Sequence, residues 1–341
     1  PLPDHQVIDW AASPNAAMAF ILKNLFASTS EANKATIDSL ESALNSEYEN
    51  KSTSQIASAS ADYGRKIASR IFEWSKTDGG HEGYLGAIDN SYVAPTGPGL
   101  WIPTAPALSP PIRPSWGNNR SFVPNSAVST APGPPIPYSE SPDSEFYKAV
   151  NEVYTISLSL TEDDVRIVRH WGDIPGNYNT PSHCTHIATQ LIEENDFKLD
   201  QAAFTYAKHG IAINEAIISV FKAKYIHNLI RPISYIRNVL GHTAWNTVIS
   251  TPAHPEYPSA HATVGGAGYT VLESIFGKNY AFVDRTHENS HGARSYENLK
   301  AYASEAARSR VLAGIHYQFS ADAGLKQGED VGNLVNKIKF K

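Results

Sequence analysis

Three separated segments carry residue types that could enclose a tetrahedral oxyanion such as phosphate. They are Lys224 to Pro232, Pro258 to His261 and Ser309 to His316. Their residues include the cations Lys224, Arg231 and Arg310, the hydroxyl group of Ser259, and the histidines His261 and His316. Fixed cations and hydroxyl donors are the groups that hold such anions in proteins. A chain with a net charge of −6 and a pI near 6.1 has no general reason to gather them.

Composition bounds the class of protein. The chain has 341 residues, 41% of them hydrophobic and 18% charged, which is typical of a soluble globular protein. Its negative net charge argues against non-specific binding to nucleic acid, and no apolar run is long enough to span a bilayer. Cys184 is the only cysteine, which excludes an intrachain disulfide and predicts a buried apolar side chain. The chain begins Pro-Leu-Pro rather than with Met, which predicts a processed form that is secreted or periplasmic.

Apolar residues recur at helical spacing along most of the chain. Helices are predicted at 13–26, 53–74, 145–160, from a capping box at 161–164, and at 199–230, 259–276, 295–313 and 319–338. Residues 91–142 are rich in proline, and Trp101, Trp116 and Phe122 predict that this segment packs over the surface. The pattern predicts a single all-α domain over 1–341, with N-terminal helices in 1–90 and the site in a helical bundle over 143–341.

The first segment places Lys224 and Arg231 seven residues apart, which is two helical turns. They face the same way if the helix lasts to Arg231, where Pro232 is expected to end it. Lys222 competes with Lys224 for the same role. The alternative interpretation is an ordinary basic face on a surface helix.

The second segment begins a helix. Ser259 fits its N-cap, and the first turn offers free backbone N–H groups for an anion, while His261 lies where it could pass a proton to a bound oxygen. The alternative is simple capping with a surface histidine. In the third segment, Arg310 and His316 would lie on different faces of a straight helix, so a break is expected at Gly314.

The spacings Lys-x6-Arg-Pro, Pro-Ser-x-His and Ser-Arg-x5-His resemble the signature of the vanadium-dependent haloperoxidases. These enzymes share their fold and site with the type 2 phosphatidic acid phosphatase superfamily. The segment Thr251 to Pro258 and the run from Arg310 to His316 are similar to the soluble bacterial branch. The strong match covers residues 210–330 and is specific for the superfamily, though less so for the reaction.

The resemblance implies vanadate as the cofactor, with His316 as the ligand of the metal. The residues implied to bind the vanadate oxygens are Lys224, Arg231, Ser259, Ala260 and Arg310. His261 is implied as the acid–base group, with Lys224 and His254 as further catalytic residues. The resemblance implies hydrogen peroxide and halide as substrates. A small organic acceptor and assembly into a homo-oligomer are left open, and binding to nucleic acid is not expected. The metal acts as a Lewis acid while halide is oxidised to a hypohalous acid equivalent.

Three positions depart from the family pattern. The usual glycine before the acid–base histidine is Ala260, which still donates its N–H if its φ is negative. Many relatives carry Asp four residues after the metal histidine, where this chain has Ser320, with Asp322 two residues later; either is expected to orient His316. Chloroperoxidases place Trp and Phe where this chain has Phe221 and His254.

A histidine at position 254 resembles the bromoperoxidases and predicts that bromide or iodide is oxidised more readily than chloride. The alternative is a structural histidine in a Pro-rich turn. Two other functions are left open by the site residues. An acid phosphatase would use His316 as nucleophile and His261 as general acid. A scaffold protein would bind an oxyanion without turnover.

Overall fold

The computed structural model describes residues 7–85, 91–173 and 178–340. The helices in these ranges are α1 (Ala12–Leu25), α2 (Glu31–Lys51), α3 (Ser54–Ser75), α4 (Ser126–Ser129), α5 (Glu145–Ser157), α6 (Glu162–His170), α7 (Thr180–Glu194), α8 (Leu199–His227), α9 (Pro232–Asn238), α10 (Ala260–Phe276), α11 (Glu288–His291), α12 (Leu299–Leu312) and α13 (Gln318–Val335). Strands β1 (Phe282–Asp284) and β2 (Arg294–Tyr296) form a small antiparallel sheet, in which Val283 pairs with Ser295. The predicted all-α class is confirmed.

The chain divides into two compact units, Pro1–His81 and Glu82–Lys341. In the first unit, α1 and α3 pack closely because Gly64 leaves room for the backbone of α1: a Cβ on Gly64 would lie 1.9 Å from the carbonyl oxygen of Ser13. The sequence placed a boundary at residue 90 within a single domain, whereas this division falls after His81. The single domain over 1–341 stays a prediction.

In the second unit, α10 lies against α8, α12 and α13. Small residues permit this contact, since a Cβ on Gly328 of α13 would lie 2.2 Å from the carbonyl oxygen of Thr263. The same holds at Gly266, whose Cβ would lie 2.6 Å from the carbonyl oxygen of Leu325. The first turn of α10, which carries site residues, is therefore fixed against α13.

The Pro-rich segment packs against α8 and the residues that follow it. Trp101 is 2% exposed, and its backbone N–H donates to the carbonyl of Asn228 at 2.7 Å. Ile230 donates in return to the carbonyl of Gly99 at 2.9 Å. Trp116 is half-buried and Phe122 is 47% exposed, and the prediction that the segment packs over the surface is confirmed.

Most predicted helix bounds lie within a few residues of the observed ones. The capping box at Thr161 is confirmed, with Asp164 as its second member. The helix predicted from 295 begins instead at Leu299, because Ser295 and Tyr296 pair in β2. Helices α2 and α7 were not predicted. No helix in the described ranges is both long and apolar enough to cross a membrane.

Candidate active site

Lys224 lies near the end of α8 and is fully buried. Its Nζ donates to the carbonyls of Glu256 at 2.8 Å and Pro255 at 3.0 Å, which attaches it to the stretch just before the second segment. The competing Lys222 is only half-buried, and its backbone lies against Gly117. Lys224 is thus the lysine that reaches the site, and the basic surface interpretation was wrong.

Arg231 does not continue α8. That helix ends at His227, where Asn228 adopts a left-handed conformation (φ 47°), and Arg231 precedes Pro232 at the start of α9. The condition that the helix lasts to Arg231 is therefore not met. Arg231 is nevertheless fully buried, and its guanidinium donates to the carbonyls of His254 at 3.0 Å and Ile315 at 2.7 Å. This single side chain links the first segment to the third and to the stretch just before the second.

Ser259 occupies the N-cap position of α10, as predicted, but its side chain makes no capping hydrogen bond. Its backbone N–H donates to the carbonyl of Ser320 at 3.1 Å, and its buried Oγ has no hydrogen-bond partner among the described residues. Ala260 is the first residue of the helix, so its N–H has no intrahelical acceptor. Ala260 is not among the residues with a positive φ. Its backbone N–H can therefore serve as a donor in place of that of the usual glycine.

Arg310 is 1% exposed, and its guanidinium donates to the carbonyl of Trp171. Helix α12 ends at Leu312, and Gly314 has a φ of 79°, which confirms the predicted break. The break turns the chain so that His316 is buried two residues before α13 begins.

Replacing Gly314 by alanine should destabilise the protein. A Cβ there would lie 2.8 Å from the Trp245 ring in a backbone conformation that L-residues avoid. We expect a loss of more than about 2 kcal/mol in the free energy of unfolding, measured by urea titration. Gly292→Ala is the matched control, since Gly292 has a φ of 83° but open space around it. Equal losses in the two variants would show that the Trp245 contact is unimportant.

The hydrogen bonds of His316 show which ring nitrogen carries the proton and which carries the lone pair. Arg231 Nη1 lies 3.2 Å from Nε2, and a guanidinium can only donate, so Nε2 carries a lone pair. The proton therefore sits on Nδ1, which lies 2.7 Å from a carboxylate oxygen of Glu256. The same oxygen accepts the backbone N–H of Tyr317 at 3.0 Å. Glu256 thus holds the ring with Nε2 available to a ligand.

Glu256 lies in the Thr251 to Pro258 segment, to which the sequence assigned no role in orienting His316. The expectation that Ser320 or Asp322 orients this ring was wrong. Asp322 is exposed and accepts from the Gln318 amide at 2.8 Å. Ser320 Oγ is buried 3.4 Å from His316 Nδ1, much farther than Glu256. The carboxylate comes from sixty positions earlier in the chain, where no local pattern relates it to His316.

Phe221 and His254, singled out as halide-determining positions, are in contact. Their rings lie edge to face with centroids 5.5 Å apart, and both residues are buried. His254 Nδ1 lies 3.0 Å from Arg231 Nη2 and 3.1 Å from the carbonyl oxygen of Pro255. Burial, with the nearby charges of Lys224 and Arg231, lowers the pKa of His254 well below its usual value.

The ring of His261 is 19% exposed, which does not fit the alternative of a surface histidine. Its Nε2 lies 2.8 Å from Thr180 Oγ1, 3.3 Å from Arg310 Nη1 and 3.3 Å from a carboxylate oxygen of Asp173. Burial, and then Arg310, lower the pKa of His261 to about 4. Thr180 and Asp173 were not predicted as site residues, although Asp173 lies in a Trp-Gly-Asp run that follows α6.

The site gathers positive charge, on which the carboxylates of Glu256 and Asp173 act only without direct contact. Among the described residues, Lys224, Arg231 and Arg310 make no ion pair within 4.0 Å. Burial, and then Arg231, lower the pKa of Lys224 well below its usual value. Burial lowers the pKa of each arginine to about 10. Buried cations of this kind need a counter-ion, and the unpartnered Ser259 Oγ adds a donor, so the residues fit an oxyanion such as vanadate or phosphate.

Orthovanadate or phosphate should therefore stabilise the protein against heat. Binding to the folded state alone contributes about 2.7 kcal/mol at a ligand concentration of one hundred times Kd. We expect a rise in Tm that saturates with anion concentration, measured by differential scanning fluorimetry. Sodium chloride at the same ionic strength is the control. An equal rise with chloride would mean that general ionic strength, and not this site, causes the effect.

Fold and site together define an all-α protein with a buried oxyanion site that contains two histidines. Comparisons with known proteins agree. Residues 240–340 match the family model of the vanadium chloroperoxidase second helical-bundle domain. A vanadium-dependent bromoperoxidase of Ascophyllum nodosum is 31% identical over 94 residues, which cover 24% of this chain but only 17% of the algal protein.

Solved structures extend the likeness to the whole chain. A bacterial vanadium-dependent iodoperoxidase is 33% identical with a TM-score of 0.87, covering 99% of this chain and 82% of that one. A holo-type bacterial vanadium-dependent chloroperoxidase is 15% identical with a TM-score of 0.74, covering 96% and 81%, and shows the shared fold. The chain belongs to the vanadium-dependent haloperoxidases.

Proposed function

We propose that this protein oxidises halide with hydrogen peroxide while holding vanadate in the site described above, and that it prefers iodide or bromide to chloride. The observation that carries the proposal is the set of three buried, unpaired cations beside a histidine whose free Nε2 is fixed by Glu256. An oxyanion that also accepts a nitrogen ligand satisfies both features at once.

The chain's own residues divide into holding and proton-transfer roles. The groups that would bind the oxygens of vanadate are Lys224, Arg231, Arg310, the Ser259 hydroxyl and the Ala260 N–H. His316 Nε2 would bind the metal. When bound, vanadate supplies a Lewis acid that polarises peroxide for attack by halide. The buried cations offset charge on the oxygens without rearranging, since their positions are fixed by backbone carbonyls.

His261 is the residue proposed to move a proton. It follows the oxyanion-binding Ala260 in the first turn of α10, and Arg310 lies beside its ring. A histidine whose pKa is lowered to about 4 is neutral at physiological pH and can accept a proton from peroxide.

The halide preference rests on positions 221 and 254. A neutral His254 held by Arg231 and packed against Phe221 presents a less apolar wall than the Trp and Phe of the chloroperoxidase pattern. The iodoperoxidase relative, 33% identical over nearly the whole chain, supports a preference for iodide or bromide. His254 would then act by adjusting the electrophile through Arg231 and not by transferring a proton.

The test is peroxide-dependent oxidation of iodide, bromide and chloride by the full chain reconstituted with orthovanadate, with phosphate as competitor. Turnover that requires vanadate, and that falls in the order iodide, bromide, chloride, is expected. Equal or faster chloride oxidation would overturn the halide preference. Hydrolysis of a phosphate ester without halide oxidation would assign the site to an acid phosphatase, and binding with neither reaction would assign it to a scaffold.

A further inference from the structure

Behind His261 lies a second buried cluster, which we call the His–Asp relay: Asp173, His183, Asp284 and His170. His183 lies on α7, His170 ends α6 and Asp284 ends β1. His183 Nδ1 is 3.0 Å from Asp173 Oδ1, and His183 Nε2 is 2.9 Å from Asp284 Oδ2. His170 Nε2 lies 2.9 Å from the same oxygen of Asp284. All four side chains are at most 1% exposed.

Hydrogen bonding fixes the charge on His183. An ionised carboxylate only accepts hydrogen bonds, so a ring nitrogen beside each aspartate must carry a proton. Asp284 is ionised, since it also accepts the Thr286 N–H at 2.9 Å and lies beside His170. With both nitrogens protonated, His183 is an imidazolium held between two carboxylates. Burial opposes this charge, but hydrogen bonds to Asp173 and Asp284 raise the pKa of His183 to about 9.

The ring of His183 is also fixed in its plane. It stacks on Trp171, with ring centroids 4.4 Å apart and planes inclined by 14°. The carbonyl of the same tryptophan accepts from the guanidinium of Arg310. The relay and the proposed oxyanion site therefore share one short backbone stretch, Trp171 to Asp173.

Asp173 connects the relay to His261. Its Oδ1 lies 3.0 Å from His183 Nδ1 and 3.8 Å from His287 Nε2. Its buried Oδ2 has no hydrogen bond of good geometry among the described residues and lies 3.3 Å from His261 Nε2. His261 Nε2 meets the donors Arg310 and Thr180 on its other sides. A carboxylate and a guanidinium thus compete for one nitrogen: the first favours the protonated ring and the second favours the neutral one.

We propose that His183 and Asp284 are positioning residues, which hold the Asp173 carboxylate against Nε2 of His261 and thereby set the proton affinity of that ring. A buried carboxylate without its imidazolium partner would turn toward other donors or take up a proton. This inference rests on the proposed function only in taking His261 as the acid–base group.

The experiment is an NMR titration of histidine-labelled, vanadate-free full chain. The charged groups that face His261 are Asp173, Arg310 and, behind Asp173, His183. Asp173→Asn is the reference and should lower the pKa of His261 by about one unit, because a facing negative charge is lost. His183→Gln and Asp284→Asn should lower it in the same direction, since each releases Asp173. Adding His183→Gln to Asp173→Asn should then produce no further shift.

The direction of the pKa shift of His261 decides whether His183 positions Asp173 or acts only through its own positive charge. If His183 acted only as a distant positive charge, its removal would raise the pKa of His261, and a rise or no change in His183→Gln would overturn the proposal. Asp284→Asn keeps the side-chain volume and covers the case in which His183→Gln does not fold. His186→Gln is the matched control: His186 lies one turn along α7, contacts Thr286 at 3.1 Å and should leave the titration unchanged.

Two further readouts separate the alternatives. The ring nitrogens of wild-type His183 should both appear protonated. A stoichiometric metal ion in the purified wild-type protein, lost in His183→Gln, would replace the relay with a metal site and overturn the inference, because His183 belongs to both groups of side chains that could hold one. None of these measurements uses vanadate or halide. Failure of halide oxidation would therefore refute the proposed function alone, and failure of the titration would refute only the positioning role.

Discussion

Replacing His316 by alanine is expected to abolish vanadate binding and all vanadate-dependent turnover. The variant removes the ring nitrogen Nε2, whose lone pair faces the buried cations because Glu256 holds the proton on Nδ1. The loss of affinity should exceed the roughly 100-fold that removal of a ligand's hydrogen-bond partner costs. Titration calorimetry with orthovanadate measures binding, and the iodide assay measures turnover.

Two variants make this result specific to His316. His261→Ala should keep vanadate binding but lose most turnover, because His261 is proposed to move a proton and not to bind the metal. His242→Ala removes an exposed histidine that stacks on Tyr154, with ring centroids 4.0 Å apart, and should change neither property. If the alanine variant bound vanadate and turned over halide like the wild type, His316 would not belong to the site.

Glu256→Gln should weaken vanadate binding by about 10- to 100-fold. The amide preserves the size of the side chain and can still accept from His316 Nδ1 and the Tyr317 N–H. A neutral acceptor makes the imidazole less basic and holds its tautomer less firmly, so Nε2 becomes a poorer ligand. The measurement is the orthovanadate Kd of the purified variant, with its fold checked by circular dichroism.

The residues predicted in place of Glu256 are the natural controls. Ser320→Ala removes a hydroxyl 3.4 Å from His316 Nδ1 and should have a far smaller effect on the Kd. Asp322→Asn changes an exposed carboxylate bonded to Gln318 and should have none. A larger loss in Asp322→Asn than in Glu256→Gln would restore the interpretation made from the sequence.

Local chemistry was enough to locate most elements of this fold. Thr161 and Asp164 follow the capping-box pattern, whose hydrogen bonds lie within four residues, and the structure contains them. Gly314 was expected to break the chain because two functional residues could not otherwise converge, and its φ is 79°. The end of α8 was misplaced, because Pro232 was taken as the stop when Asn228 had already adopted a left-handed conformation.

Local sequence patterns could not predict which charged residues pair when they lie far apart along the chain. Glu256 and His316 are sixty positions apart, and the residues of the relay come from α6, the stretch after it, α7 and β1. Each carboxylate has ordinary neighbours along the chain, and nothing local distinguishes it from a solvated one. Their partners follow from which helices pack together.

The sequence by itself determined the residue types of the site, their order and the helical character of the elements that carry them. Short-range hydrogen bonding and hydrophobic periodicity are encoded within a few turns of the chain. Only the tertiary structure decided that Glu256 orients His316 and that His183 lies between two aspartates. The strength of those contacts depends on burial, and burial results from the close packing of α10 with α8, α12 and α13.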